Sequence, residues 1–292
     1  MKNSDRSTTF PLLDFDLAGT LDGGQTFRWQ ETGGSWEGVI GTRWVRLTPD
    51  GETFHAETAI PTADWAWLTD YLQLHVDLPA ILATFPNDPP MQAAITGCPG
   101  LRLLRQEPWE CLASFILSSS KQIVQIQQCV ALLAEQFGTR IPALTGEVFA
   151  FPDLFQLAEA TEPELRACKL GFRAPYLHGT ARLLAAGQID LADLHGLPTE
   201  EARTELMKLP GVGRKIADCV LLFAYGRQDA FPVDVWILKA LGALYFPGRR
   251  PTPQRLLNFT TTHFGPNAGY AQQYLFHYAR TKLPELRTRK RR

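Results

Sequence analysis

The chain has 292 residues, 45% of them hydrophobic and 20% charged, which supports one or two buried cores and excludes a disordered protein. No run approaches the roughly 18 apolar residues of a membrane span, and the opening MKNSDRSTTF lacks the apolar core of a signal peptide. A soluble, cytoplasmic protein with no membrane partner is therefore expected. The formal charge of -1 hides an asymmetry: residues 1–200 carry 13 Lys+Arg against 24 Asp+Glu (net -11), and residues 201–292 carry 16 against 6 (net +10). Such a split fits a localised phosphate-binding face on a protein that is not globally basic, although five of the positive charges lie in the terminal RTRKRR and are also explained as a solvated tail.

Cys98, Cys111, Cys129, Cys168 and Cys219 are scattered, with no CxxC pair, so reduced, buried thiols are expected, with no metal site and no required cofactor. From Thr26 to about Glu57 short runs, TFRWQ, SWEGVI and RWVRLT, alternate with Gly-rich turns and read as a strand meander. After Pro61 the spacing turns helical, with Thr62 and Asp64 as caps for ADWAWLTDYLQL. From Pro108 onward helical segments follow one another, giving roughly eight to ten helices with short links. The expected class is α+β: residues 1–105 form a small α+β unit with a twisted antiparallel sheet, 106–285 an all-helical body, and 286–292 a basic tail.

The most informative stretch is LMKLPGVGRKIADCVLLFAY, Leu206 to Tyr225. Pro210 stops one helix, Gly211 and Gly213 permit backbone angles that side chains resist, and a second helix starts near Arg214. The free amides of that second helix, with Arg214 beside them, make an anion site suited to a phosphate. Lys215 lies in its first turn, where the dipole opposes a positive charge and apolar neighbours disfavour one, so the neutral, nucleophilic amine is promoted. Asp234 stands 19 residues further on, in AFPVDVWILKALG, where it opens an apolar helix as an N-cap. Capping alone explains that aspartate; an ionised carboxylate facing a cationic transition state is the functional reading.

LPGVGRK followed by PVD resembles the helix-hairpin-helix, Gly/Pro…Asp superfamily of DNA glycosylases, whose bifunctional members carry a lysine where Lys215 stands. Its iron–sulfur members end in a cysteine cluster, and this chain has no cysteine after Cys219. GGQTFRW at 23–29, PWECLASFILSSS at 108–120, LGFRA at 170–174 and GYAQQYLF at 269–276 are similar, in order, to signatures of the 8-oxoguanine DNA glycosylase family. That resemblance runs from about Gly23 to about Arg280.

The resemblance implies excision of 8-oxoguanine, opposite cytosine, from duplex DNA after the base is flipped out. It assigns Lys215 as the nucleophile that forms a Schiff base and leads to β-elimination, and Asp234 as the stabiliser of the oxocarbenium charge. Cys219 and Phe276 would sandwich the purine, Gln272 would read its Watson–Crick edge, and the Gly24 carbonyl would accept the N7 hydrogen that guanine lacks. Gly211, Gly213 and Arg214 would hold phosphate, with an alkali cation as an option at the hairpin carbonyls. Phe172 would fill the gap left in the stack and Arg173 would contact the orphaned cytosine. Departures from the family pattern lie nearby: Ser120-Lys121-Gln122 replaces an asparagine run, Gln125 stands where an arginine often reaches the orphaned base, and Trp236 replaces a histidine. They bear on the preference for cytosine, not on the lesion chemistry.

The expected partner is double-stranded DNA with oxidised guanine, bound by a monomer in a bacterial nucleoid or a eukaryotic nucleus. Two alternatives compete. An alkylated-base glycosylase of the same superfamily typically lacks the lysine, and a substrate panel separates it. A catalytically silent hairpin module would bind lesions without turnover, and would leave Lys215, Asp234, Gln272 and Phe276 as coincidences.

Overall fold

The computed structural model describes residues 5–249 and 251–286; apart from Leu286, the basic tail expected at 286–292 lies outside them. Strands β1 (Asp5–Pro11), β2 (Gln30–Thr32), β3 (Ser35–Ile40), β4 (Arg43–Asp50) and β5 (Thr53–Thr62) form an antiparallel sheet in the order β1-β5-β4-β3-β2. Gly33 and Gly34, at φ 60° and 82°, make the two-residue link from β2 to β3, the geometry for which glycine pairs are suited. Gly38 is required for a different reason: a Cβ there would stand 2.5 Å from the Trp29 ring, so its absence lets the indole lie against β3.

The sheet differs from the sequence reading in two places. DRSTTFP forms an edge strand on β5; its mostly exposed Ser and Thr residues give no apolar alternation to recognise. TFRW, expected as a strand, is a connector between two cores. Phe27 packs into the helical core while Trp29 is buried on the sheet side, where its Nε1 donates to the Tyr71 hydroxyl at 2.9 Å. A strand cannot serve both cores at that spacing, and only Gln30 onward pairs.

Helices α1 (Leu17–Leu21), α2 (Ala66–Leu72), α3 (Leu78–Leu82) and α4 (Pro89–Gly97) follow or interrupt the sheet. Thr62 ends β5 rather than capping α2, whereas the Asp64 carboxylate accepts from the Ala66 amide at 2.9 Å. Asp77 and Asp88 cap α3 and α4 through the Ala80 and Met91 amides. Leu78 of α3 and Met91 and Ala94 of α4 join the helical core, and α4 packs on the last long helix of the chain.

The remainder holds ten α-helices among the described residues: α5 (Pro108–Leu117), α6 (Ile123–Phe137), α7 (Leu154–Glu159), α8 (Glu162–Ala167), α9 (Ala174–Ala185), α10 (Thr199–Leu206), α11 (Arg214–Phe223), α12 (Val235–Leu244), α13 (Pro253–His263) and α14 (Ala268–Lys282). A short ladder, β6 (Arg140–Ile141) with β7 (Val148–Phe149), leans on Val39 and Trp44 of the sheet. Helix α11 is buried along nearly its whole length and packs on α5, while α12 packs on α14. These two contacts bring the start of α11, the start of α12 and the middle of α14 to one place.

Candidate active site

The hairpin between α10 and α11 is built as its residues require. Gly211 takes φ +77°, and a Cβ on it would lie 2.7 Å from the Tyr176 side chain, so only glycine fits. Gly213 corrects the sequence reading: at φ -94° and ψ 176° it is an ordinary extended N-cap, open to solvent, whose value is access to the first amides of α11. Arg214, 43% exposed, stands beside them, 3.7 Å from both Glu200 and Asp218.

Lys215 points from the first turn of α11 toward the end of α5. Its Nζ donates to the Ser118 hydroxyl at 3.1 Å and lies 5.1 Å from the centre of the Phe115 ring. Ser118 in turn donates to the Phe115 carbonyl at 2.7 Å, so its hydroxyl hydrogen is committed and a lone pair faces the lysine. Asp234 caps α12 by accepting from the Ile237 amide at 2.8 Å. Burial raises the proton affinity of its carboxyl, while the Ile237 amide, the Lys215 charge, the Trp236 amide and the Arg280 charge oppose that rise. The cap therefore holds the Asp234 carboxyl in the same recess as the Lys215 amine.

That recess, about 40 Å³ in the unliganded protein, is lined by Lys215, Asp234, Gly24, Cys219, Gln272 and Phe276 among others. All six residues assigned to attack and base recognition thus meet at one place. It adjoins a cavity of about 400 Å³ whose walls include Lys121, Gln122, Ile123, Trp236 and Arg280. Cys219 is 3% exposed, and burial pushes its thiol up to about 12, so it is a neutral, apolar wall and not a second nucleophile. Gln272 spends its amide nitrogen on the Pro232 carbonyl at 3.0 Å; its buried Oε1 has no hydrogen-bond partner among the described residues. A buried acceptor with no partner from the protein is available to a donor that enters the recess.

The opposite-base residues are only partly presented. Phe172 is 55% exposed at the tip of its turn, as a wedge needs to be. Arg173 is turned inward and 6% exposed: its Nε donates to the Ser119 carbonyl at 2.7 Å, its Nη2 also reaches that carbonyl, and its guanidinium stacks 4.1 Å from the Phe172 ring centre. Contact with an orphaned base requires it to exchange those bonds. Ser120 is exposed at φ 57°, and Gln125 uses its carbonyl to accept from the Gln122 amide at 3.0 Å in the box that starts α6.

Sequence reasoning overlooked Ser118, Phe115 and Arg280. SSS at 118–120 was legible only as a helix end, and nothing local marks which hydroxyl meets a lysine 97 residues away. It also missed the ion pair behind the hairpin, Arg203 to Asp218 at 2.6 Å, with both side chains 4% exposed. Among the described residues no group of three His, Cys, Asp or Glu could hold a metal ion, and no helix is long and apolar enough to cross a membrane.

Residues 7–112 match the model of the 8-oxoguanine DNA glycosylase N-terminal domain, and residues 113–263 that of the HhH-GPD superfamily of base excision DNA repair proteins. The chain is 31% identical to a probable N-glycosylase/DNA lyase of Methanothermobacter thermautotrophicus, over 92% of this chain and 95% of that one. It is 33% identical to the N-glycosylase/DNA lyase OGG1 of Arabidopsis thaliana, over 91% and 79%. Its fold superposes on the 8-oxoguanine glycosylase/lyase of Clostridium acetobutylicum, solved with double-stranded DNA containing cytosine opposite 8-oxoguanine, with a TM-score of 0.89 and 32% identity over 95% and 96% of the chains. From its sheet to its hairpin, the chain belongs to the 8-oxoguanine DNA glycosylase family within the HhH-GPD superfamily.

Proposed function

We propose that this protein excises 8-oxoguanine from duplex DNA and then cleaves the strand, with Lys215 as nucleophile and Asp234 as its electrostatic partner. The observation that carries the reading is the convergence of Lys215 and Asp234 with Gly24, Cys219, Gln272 and Phe276 on one recess, in a chain of this family. A base stacked in a duplex cannot reach such a recess, so the target is flipped out and Phe172 takes its place in the stack. The purine enters between Cys219 and Phe276. The Gln272 Oε1 accepts an N–H from its Watson–Crick edge, and the Gly24 carbonyl accepts the N7 hydrogen.

The neutral amine of Lys215 bonds to C1′ as the bond to N9 breaks, its electron pair leaving with the base, which takes up a proton. Positive charge gathers on the sugar at that moment, and the ionised Asp234 lowers its energy. The bonded nitrogen gives up one proton, and its lone pair then expels O4′, which takes up a proton as the ring opens to the protonated Schiff base. Abstraction of a C2′ proton then expels the 3′ phosphate. Ser118 holds the amine toward the recess throughout its approach.

Backbone phosphates are taken at the turn that Gly211 and Gly213 make, by the first amides of α11 with Arg214, and Arg173 turns to the orphaned cytosine. An alkali cation at the hairpin would be a counter-charge for phosphate only: the Leu209 and Gly213 carbonyls already accept amide hydrogen bonds from Val212, Ile216 and Ala217, so a cation would share their remaining lone pairs. The protein acts as a monomer, with 1–105 and 106–285 as its two units.

The test is a panel of duplexes carrying 8-oxoguanine opposite cytosine, 8-oxoguanine opposite adenine, 3-methyladenine, or no lesion. Release of 8-oxoguanine with strand cleavage is expected. Release of 3-methyladenine with 8-oxoguanine left intact would establish an alkylated-base glycosylase instead, and binding without any release would establish a silent module.

A further inference from the structure

Recognition of 8-oxoguanine through Gly24 depends on one backbone carbonyl standing still, because a single hydrogen bond at N7 separates the lesion from guanine. Gly24 sits in an irregular turn at φ +80°, with no strand or helix to hold it. A shift of a few tenths of an ångström, or a rotated peptide plane, would lose the contact.

The turn is held from both sides by side-chain amides. On one side, the Gln273 Nε2 donates to the Gly23 carbonyl at 3.2 Å. On the other, the Gln106 Nε2 donates to the Gln25 carbonyl at 2.6 Å. The Gln25 side chain is itself spent, giving to the Thr20 and Arg102 carbonyls at 3.0 and 2.8 Å and accepting from the Leu104 amide at 2.8 Å. The carbonyls before and after Gly24 are therefore both fixed.

Gln273 is 2% exposed and next to Gln272 on α14, one turn before the recess-lining Phe276. It spans 250 residues of sequence to reach Gly23. Burying a polar amide for one neutral hydrogen bond contributes only modestly to stability, and a leucine or methionine of similar volume would serve packing as well. Its chemistry is explained by what it positions. The helix carrying two base-contacting residues, Gln272 and Phe276, thereby sets the distance to the third contact on the other wall.

The geometry points to Gln273 as a positioning residue for lesion discrimination: it locks the Gly23–Gly24 peptide so that the Gly24 carbonyl faces N7 of the flipped base. This inference rests on the assignment of Gly24 to the N7 hydrogen. The donor orientation is fixed by chemistry, since the flipped amide would set two oxygens against each other.

The experiment compares the parent with Gln273→Met, which keeps the volume and loses the donor, and Gln273→Glu, which keeps the shape and repels the carbonyl when ionised. Three quantities are read: affinity for a duplex with 8-oxoguanine opposite cytosine, affinity for the same duplex with guanine, and cleavage of a preformed abasic site, which needs Lys215 but no base. The expected result is that the lesion-to-guanine affinity ratio narrows at least tenfold in both variants while abasic cleavage stays within twofold of the parent. An unchanged ratio with intact abasic cleavage would overturn the role of Gln273, as would an equal fall in all three quantities, which marks a merely structural residue. A parent with no preference for 8-oxoguanine over guanine would instead sink the assignment of Gly24, and the two failures are told apart by the parent alone.

Discussion

A duplex carrying 8-oxoguanine is expected to be bound by Lys215→Gln about as tightly as by the parent, and excision is expected to fall at least about a thousandfold. Glutamine is one atom shorter than lysine but uncharged, and it keeps an amide donor directed toward the Ser118 hydroxyl, which now accepts from the Lys215 Nζ at 3.1 Å. What it removes is the lone pair that forms the bond to C1′. Because Gln272, Cys219 and Phe276 are untouched, recognition of the base persists and the loss appears in the chemical step. Single-turnover excision beside a binding isotherm measures both. Excision within tenfold of the parent would mean that water or another group attacks, and that Lys215 only balances charge.

The second large effect is on stability. Arg203→Met is expected to cost about 3–5 kcal/mol, because removal of one member of a buried ion pair leaves the other uncompensated. Arg203 joins α10 to α11 through its Nε–Oδ1 contact with Asp218 at 2.6 Å, and the same guanidinium meets Glu200 through Nη1. Burial already pushes the Asp218 carboxyl up to about 6, with Arg203 and Arg214 opposing that rise. Without Arg203 the folded-state value moves further above the unfolded one. An acid so raised is better tolerated when protonated, so the deficit is largest near pH 8 and shrinks as the pH falls toward 5. The double variant Arg203→Met with Asp218→Leu is expected to regain most of the loss, since an apolar pair of similar volume replaces the ion pair. Denaturant unfolding of the three proteins at both pH values reads this directly. A loss under about 1 kcal/mol in the single variant, or one that does not shrink on acidification, would show that the pair does not hold the hairpin.

What could be read along the chain was the part of the site built by local rules. LPGVG fixes a reversal because proline and glycine restrict or free the backbone at successive positions, and Asp234 announces itself as a cap, a role confirmed by its bond to the Ile237 amide at 2.8 Å. Lys215 and Cys219 share a helix face by spacing alone, and the structure lines one recess with both. The family resemblance supplied Gly24, Gln272 and Phe276, which come from the two ends of the chain and have no local reason to be linked.

Residues whose partners come from packing stayed hidden. Ser118 meets Lys215 across 97 residues, and Gln273 meets Gly23 across 250; neither a serine run nor a Gln-Gln pair on a helix specifies such a contact. Arg203 and Asp218 carry no local mark of an ion pair, because nothing in a sequence tells which polar face a neighbouring helix covers. TFRW was mistaken for a strand because alternation of large apolar residues looks the same whether one sheet face or two separate cores receive them. The inward turn of Arg173 was equally illegible: it depends on the Ser119 carbonyl, freed where α5 ends at Leu117.

Attack of Lys215 on the sugar of an oxidised guanine is trapped by borohydride reduction during reaction with a duplex carrying 8-oxoguanine opposite cytosine. A Schiff base is reduced to a stable amine, so a covalent protein–DNA adduct is predicted with the parent. Undamaged duplex and Lys215→Gln are predicted to give none. Base release without any adduct from the parent, or an adduct that survives in Lys215→Gln, would mean that Lys215 is not the nucleophile.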